Sequence, residues 1–228
     1  MKNEILFPQS TIKFLTALSK NNNKEWVEKN RDRYNLEFLQ PAIQTVIDVG
    51  EELLKLSPNI LAIPKVDKSI FRLHRDVRFS KDKSPYKINL GLYFWEGKGK
   101  KMECSGLYFH LEPKLFFLGA GMYMFSNDQL KKYREVVSNP AKAKELSEIT
   151  KRILKNKKFQ LGGKTFKKTP RGFDPEYKYN DLLLHSGYHL FYESKDFSEL
   201  TKKDPVQTIF KNFKEMYPLH SWFVKNIV

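Results

Sequence analysis

Hydrophobic residues recur at a helical period in the first quarter of the chain. Ile12, Leu15 and Leu18 fall on one stripe, which predicts an amphipathic helix. Ser10 is a suitable N-cap for this helix. Two further helices are predicted to begin at Asn23 and at Pro41. The chain is therefore expected to start with a helical region over residues 1–60.

The period changes to two in the middle of the chain. Hydrophobic and charged residues alternate from Phe71 to Phe79, with Arg75 as the exception. This alternation predicts a strand with one apolar and one charged face. The same alternation predicts strands over residues 87–95, 107–112 and 116–122. Because short turns connect them, these strands are expected to form an antiparallel meander.

The last part of the chain returns to helical patterns. Helices are predicted over residues 128–137 and 140–154 and after Asp204, with a basic loop and a strand near residues 188–192 between them. No repeat or flexible linker divides the chain. We therefore predict a single α+β domain, an antiparallel β-meander sheet covered by N-terminal and C-terminal helices. Its three parts are 1–60, which is helical, 66–124, which is mainly antiparallel strands, and 126–228, which holds helices, the basic loop and the further strand.

The composition is that of an ordinary globular protein. The chain has 228 residues, of which 40% are hydrophobic, and one cysteine, Cys104. A single cysteine cannot form an internal disulfide, and a chain of this length is held together by its core. No secretory signal and no run of about 18 apolar residues is apparent, so we expect a cytoplasmic protein that does not enter a membrane.

The positive charge is concentrated in two segments. The formal net charge is +15, from 41 basic and 26 acidic residues. Residues 65–101 hold 11 basic and 4 acidic residues, and residues 151–178 hold 10 and 2, so these segments carry +7 and +8. The rest of the chain is balanced. Surfaces of this kind attract anions, although a solvated lysine-rich face is the simpler interpretation of the second segment.

The polar faces of the predicted strands define a candidate site. Side chains two residues apart on a strand share a face, so Arg72 is expected beside Asp76 and Arg78, and Tyr108 beside His110. Guanidinium groups match phosphate and carboxylate. Asp76 could orient a guanidinium, hold a metal that bridges phosphate, or act as a base. The candidate proton-handling residues are Asp76 and His110, and the predicted ligand-binding residues are Arg72, Arg78, Lys83, Tyr86, Tyr108 and Arg171.

Three of these residues lie outside the predicted strands. Lys83 and Tyr86 follow the charged strand in a turn, where they would either donate to a ligand or hold the hairpin. Arg171 lies in the loop over residues 170–174, which would either reach the sheet or act as a stiff latch with Phe173 in the core. On the last predicted strand of the meander, Gly119 and Gly121 are expected to leave a hollow on the sheet, and rings beside this hollow could flank a ligand.

No metal or cofactor is predicted. His110 and Glu112 form a His-x-Glu pair, but the spacing shows no third ligand. The chain has no dinucleotide-binding fingerprint and no Gly-x-Ser-x-Gly elbow. The run Gly162-Gly163-Lys164-Thr165 lacks the earlier glycine of a phosphate-binding loop, so we interpret it as a flexible turn.

The segment from Arg72 to Lys87 carries a family resemblance. It reads RLHRDVRFSKDKSPYK and resembles the hallmark of a bacterial and fungal family called domain of unknown function 2461. Residues 21–34 and 169–175 are also similar to that family. The resemblance implies a shared fold and a shared site near the Arg-Asp-Arg segment, and it implies no reaction.

Three hypotheses of function follow. The favoured one is binding, with or without turnover, of a small phosphorylated or other anionic ligand on the polar sheet face. The second is a nucleic-acid-binding module, supported by the charge and by the rings of Tyr93, Trp95 and Tyr108. The third is a structural or protein-interaction domain. Nucleic-acid binding should weaken steeply with salt, whereas a small-ligand pocket should fail with Arg78→Ala alone. The sequence predicts neither an oligomeric state nor whether the protein is an enzyme.

Overall fold

The computed structural model describes residues 7–228 and shows an α+β fold. Five strands form one antiparallel sheet in the order β1-β2-β3-β5-β4. The strands are β1 (Leu90–Glu96), β2 (Ser105–Leu111), β3 (Phe116–Met122), β4 (Gln160–Lys164) and β5 (His185–Ser194). The predicted α+β fold class is confirmed, and β1, β2 and β3 form a meander that begins at one edge of the sheet.

The helices lie mostly before and after the meander in the chain. They are α1 (Gln9–Lys20), α2 (Lys24–Lys29), α3 (Arg31–Arg33), α4 (Gln40–Leu53), α5 (Asn127–Ser138), α6 (Pro140–Leu154), α7 (Ser198–Thr201) and α8 (Pro205–Asn226). A π-helical segment, Tyr34–Leu39, joins α3 to α4, and the short 3-10 helices are Lys101–Glu103 and Asn180–Leu184. Among the described residues, no helix is both long enough and apolar enough to cross a membrane.

The chain forms two compact units that are interleaved in sequence. The first contains the described residues up to Phe94, with residues 108–117 and 194–211. The second contains residues 95–107, 118–193 and 212–228.

In the first unit, the N-terminal helices pack around an aromatic cluster. The ring of Phe14 lies within 6.0 Å, centroid to centroid, of the rings of Trp26, Tyr34 and Phe38. Asn23 caps α2 as predicted, because its side chain accepts a hydrogen bond from the Trp26 amide at 2.8 Å. The N-cap predicted for α1 is wrong, since α1 begins one residue before Ser10 and has no side-chain cap.

The strand predicted from Phe71 to Phe79 is not formed. This segment is an extended loop that pairs with residues 85–87 at isolated points, through Arg75 N–H to the Pro85 carbonyl and Lys87 N–H to the Leu73 carbonyl, each at 2.8 Å. The physical reason is the interruption at Arg75. Its guanidinium bonds to groups of the following turn, so the loop is held by polar side chains rather than by a continuous ladder. Phe79, expected on an apolar face, is 96% exposed.

In the second unit, α5 and α6 occupy the positions predicted for them. Ser126 and Gln129 form a capping box at the start of α5, and Asn139 caps α6 ahead of Pro140. The core of this unit is aromatic. The ring of Tyr133 lies within 6.2 Å of the rings of Phe125, Tyr188 and Phe223.

Two predictions about glycines in the second unit are wrong. The Gly162-Gly163 run belongs to β4 rather than to a turn, and Gly162 leaves room for a ring, since a Cβ there would lie 2.4 Å from His189 Nε2. The hollow expected at Gly119 and Gly121 is filled. A Cβ at Gly119 would lie 3.4 Å from the Leu190 carbonyl oxygen, and one at Gly121 would lie 2.4 Å from that of Tyr188. These glycines permit close approach of β5 and leave no space for a ligand.

Candidate functional site

Strand β2 places three polar side chains in a hydrogen-bonded chain in the first unit. Tyr108 Oη lies 3.0 Å from His110 Nδ1, and His110 Nε2 lies 2.8 Å from Glu112 Oε1. The three residues alternate along β2 and its end, so they share one face. The period-two pattern had placed Tyr108 beside His110. We call Tyr108, His110 and Glu112 the phenol–imidazole chain.

Neighbouring residues hold the imidazole of His110 in place. The ring of Phe117 from β3 stacks on it, with centroids 4.5 Å apart and an angle of 17° between the planes. Asn89 Nδ2 lies 3.5 Å from His110 Nδ1. The side chain of His110 is 12% exposed and that of Glu112 is 36% exposed. The imidazole is therefore largely shielded from solvent, while the carboxylate remains partly solvated.

Gly91 of β1 makes room for the phenol of Tyr108. A Cβ at this position would lie 2.7 Å from Tyr108 Oη and 3.1 Å from a ring carbon of Phe71. The ring of Phe71 meets that of Tyr108 edge-on, with centroids 5.7 Å apart. Sequence reasoning missed the roles of Gly91 and Phe117. A glycine in the middle of a strand was the available signal for the first, and nothing in the pattern singled out the second.

Two cationic side chains, those of Arg72 and Lys87, lie close together in the loop over residues 71–87. The backbone pairing of Lys87 with Leu73 sets Lys87 next to Arg72. The ammonium of Lys87 is 5.6 Å from the centroid of the Phe71 ring. Burial lowers the pKa of Lys87, and the positive charge of Arg72 lowers this pKa further, while Asp67 opposes the shift. The side chain of Arg72 is exposed and forms no hydrogen bond with residues 7–228.

Asp76 and Arg78 bind each other. The guanidinium of Arg78 donates from Nε to Oδ1 at 2.9 Å and from Nη2 to Oδ2 at 2.7 Å. The hydrogen bonds from Arg78 are the main reason that the pKa of Asp76 is lowered. Asp76 therefore stays an ionised acceptor, which matches the orienting role among the three alternatives and is unfavourable for a base.

Lys83 and Tyr86 make contacts that hold the loop together. Lys83 donates from Nζ to the Val77 carbonyl at 3.0 Å. Tyr86 is buried, and Asn22 binds its backbone on both sides, accepting from Tyr86 N–H at 3.0 Å and donating to the Tyr86 carbonyl at 2.9 Å. The ring of His74 lies 4.8 Å from that of Tyr86. These contacts correspond to the alternative in which Lys83 and Tyr86 hold the hairpin.

Asp82 completes the turn of the loop. Its carboxylate accepts hydrogen bonds from Ser84 and from Arg75, and these lower the pKa of Asp82 far below its usual range, with Ser84 as the largest cause. The cation of Arg75 is thus engaged inside the loop.

Arg171 belongs to the second unit, so the predicted site residues divide between the two units. Arg171 is exposed, and the following Gly172 has a φ of +88°. Phe173, predicted to anchor the loop in the core, is only partly buried. It lines a surface cavity of about 490 Å³ together with Glu135, Asp174 and Tyr177. This cavity presents carboxylates rather than cations.

No group of three or more histidine, cysteine, aspartate or glutamate side chains within residues 7–228 is arranged to hold a metal ion. The His110 and Glu112 pair is occupied by its own hydrogen bond. The residues of the site are donors and acceptors suited to binding anions and to moving protons.

The fold and the loop define an α+β protein with a polar site on one face of its meander. A family model described as conserved hypothetical protein, domain of unknown function 2461, matches residues 10–222. The chain belongs to this family, as the resemblance of residues 72–87 implied. No curated protein and no solved structure matches the chain.

Proposed function

We propose that the protein binds a small phosphorylated or otherwise anionic ligand beside the phenol–imidazole chain, with Arg72 and Lys87 as its cationic contacts. The observation that supports this is the closeness of these two like charges. Lys87 is partly buried against Phe71 and lies next to Arg72 in the paired loop. The two cations repel each other, and Lys87 is also partly desolvated by burial, so an anion bound between them would offset both costs.

A small ligand is favoured over a nucleic acid because few cations of this loop are available. Arg75 is engaged by Asp82, Arg78 by Asp76, and Lys83 by a backbone carbonyl. A polyanion needs a track of free lysines and arginines, which bind successive phosphates. The arrangement around Arg72 and Lys87 supports one compact anion.

The test is a titration of the ¹⁵N-labelled protein with inorganic phosphate at constant ionic strength, followed by amide chemical shifts. We expect shifts centred on residues 72, 87 and 108, and binding at least tenfold weaker in Arg72→Ala and in Lys87→Ala. A charge-assisted hydrogen bond contributes about 1.5–3 kcal/mol, which corresponds to tenfold or more in affinity. The sequence alone predicts that Arg78→Ala would abolish binding, but the guanidinium of Arg78 already binds Asp76. We therefore propose Arg78→Ala as the matched control, in which the affinity for phosphate should change less than threefold.

Three other outcomes would overturn the proposal. Equal losses of phosphate affinity in Arg72→Ala and Arg78→Ala would indicate diffuse attraction to positive charge. Tight binding of a single-stranded oligonucleotide that weakens steeply with salt and depends on the lysines of residues 151–178 would favour the nucleic-acid function. Unfolding of Arg72→Ala, with no binding of phosphate by the wild type, would favour a structural role.

A further inference from the structure

We propose that Tyr108 is the acid–base group of this site, acting on a hydroxyl group carried by the bound anion. In this assignment His110 exchanges the proton of Tyr108, and Glu112 is a positioning residue. The inference rests on the proposed function, and it names the ligand class more closely: an anion, phosphate or carboxylate, that also bears an ionisable hydroxyl group.

The hydrogen bonds of His110 determine which nitrogen carries the proton. Nε2 faces the carboxylate of Glu112, which only accepts hydrogen bonds, so Nε2 is the donor. Nδ1 faces the hydroxyl of Tyr108 and the amide nitrogen of Asn89, both of which can donate to it. In the neutral imidazole Nδ1 is therefore the unprotonated nitrogen, and it accepts a hydrogen bond from the hydroxyl of Tyr108.

This arrangement allows a balanced proton transfer in two linked steps. The O–H bond of the ligand breaks as its proton moves to Tyr108 Oη, and the ligand oxygen keeps the electron pair. The original proton of Tyr108 moves to His110 Nδ1, which forms an imidazolium opposite the Glu112 carboxylate. Return of the protons reverses both steps, and nothing is oxidised or reduced. Glu112 favours the imidazolium by its charge and fixes the tautomer, the role that a carboxylate has behind a histidine base.

The surroundings of Tyr108 suit this role. Tyr108 is partly exposed, as contact with a ligand requires, while the ring of Phe117 covers one face of His110, whose side chain is 12% exposed. Among the described residues, the titratable groups next to the pair include Glu112, just after the end of β2, and Tyr93 of β1, while Lys87 lies over the ring of Phe71, which meets that of Tyr108 edge-on. Asp76 is unsuited to the role because Arg78 holds both of its carboxylate oxygens.

The test is the reaction of the protein with an arylsulfonyl fluoride, mapped by mass spectrometry. Attack by Tyr108 forms an oxygen–sulfur bond and breaks the sulfur–fluorine bond; fluoride leaves and the phenol proton passes to His110. We expect labelling of Tyr108 to reach a plateau at a lower pH than labelling of an unassisted phenol, which gains rate up to about pH 10, because a neutral imidazole assists Tyr108. Tyr123 is the internal control. It is 71% exposed, and its hydroxyl forms no hydrogen bond with the described residues.

The variants separate this inference from the proposed function. His110→Gln should slow labelling of Tyr108 at pH 7 at least tenfold, and Glu112→Gln should move the plateau without abolishing it. If His110→Gln does not fold, the Glu112→Gln variant provides the test, because the pH at which its labelling of Tyr108 reaches a plateau should differ from that of the wild type. Phosphate should protect Tyr108 in the wild type. If labelling of Tyr108 reaches the plateau but phosphate does not slow it, Tyr108 is activated as inferred and the proposed binding of an anion at this face is wrong. A Tyr108 that reacts like Tyr123, with a rate insensitive to His110 and Glu112, overturns the inference even when phosphate binds.

Discussion

Each of the two units contains a hydrogen-bonded row of three side chains: a hydroxyl group, an imidazole and a carboxylate. In the second unit, Ser105 Oγ lies 3.0 Å from His220 Nδ1, and His220 Nε2 lies 3.1 Å from Glu96 Oε1. The phenol–imidazole chain of the first unit uses the same nitrogens in the same order. The difference is burial. The side chains of His220 and Glu96 are 0% and 7% exposed, against 12% and 36% for His110 and Glu112.

Burial separates the roles of the two chains. A ligand cannot reach Ser105, which is fully buried, so the chain in the second unit satisfies polar groups inside the core. Tyr108 is partly exposed, as the proposed contact with a ligand requires. A serine, a histidine and a glutamate within hydrogen-bond reach are therefore no evidence of catalysis by themselves. Access of a ligand to the hydroxyl distinguishes the candidate site from the structural network.

The largest expected effect compares the two histidines. His220→Ala removes a buried partner of the Glu96 carboxylate and should lower the free energy of unfolding by about 3–5 kcal/mol. His110→Ala should lower it by about 1 kcal/mol, because Glu112 is partly solvated. Chemical denaturation followed by circular dichroism measures both. Equal losses in the free energy of unfolding would show that His110 stabilises the fold as much as His220 does, and would contradict the different roles of the two histidines.

The second prediction concerns Gly91. Gly91→Ala would place a methyl group against Tyr108 Oη and should cost about 1–3 kcal/mol of stability while displacing the phenol from His110. Labelling of Tyr108 at pH 7 should slow accordingly. Gly99→Ala is the control. Its Cβ would lie 3.7 Å from Cys104 Sγ, an ordinary contact, so neither stability nor labelling should fall. A stable Gly91→Ala variant with unchanged labelling would contradict the geometry.

The third prediction tests the support of the loop in the first unit. Asn22→Ala removes two hydrogen bonds to the backbone of Tyr86 and should cost about 1–2 kcal/mol. Phosphate affinity should fall as well, because the loop carries Lys87. Asn21→Ala is the comparison, since the side chain of Asn21 donates to the Ala17 carbonyl within the exposed end of α1 and not to the loop. Amide hydrogen exchange across residues 73–87 should become faster in Asn22→Ala and not in Asn21→Ala. The same exchange rates in both variants would contradict this role of Asn22.

The smallest effect is a pH dependence that arises in the second unit. Burial lowers the pKa of His185 and of His189. Each binds fewer protons folded than unfolded below its unfolded pKa of about 6.5, so stability falls as the pH drops through that value. The slope per histidine is at most about 1.4 kcal/mol per pH unit. His185→Asn, which keeps a donor for the Asp181 carbonyl, should flatten the curve. If the free energy of unfolding of His185→Asn depends on pH as steeply as that of the wild type, His185 does not cause the pH dependence.

Local patterns predicted the elements that local interactions determine. The helical period found α5 and α6, and the alternation along β2 put Tyr108 and His110 on one face. The alternation over residues 71–79 predicts a strand where the structure has a loop. Arg75 binds Asp82 and Ser84, and both of these partners lie in the turn that follows. Period alone does not show such bonds. The stacking of Phe117 on His110 also depends on pairing between strands, which one sequence does not specify.

Asn22 joins two stretches of chain that are 64 residues apart. Its side-chain amide bonds to the backbone of Tyr86 as a neighbouring strand would. The conformation of the loop over residues 71–87 therefore depends partly on the turn between α1 and α2. A synthetic peptide copying residues 70–90 would lack that partner and would sample many conformations. The conformation of residues 72–87 therefore depends on a residue outside that segment, and transplanting the segment into another scaffold requires moving the turn that carries Asn22 with it.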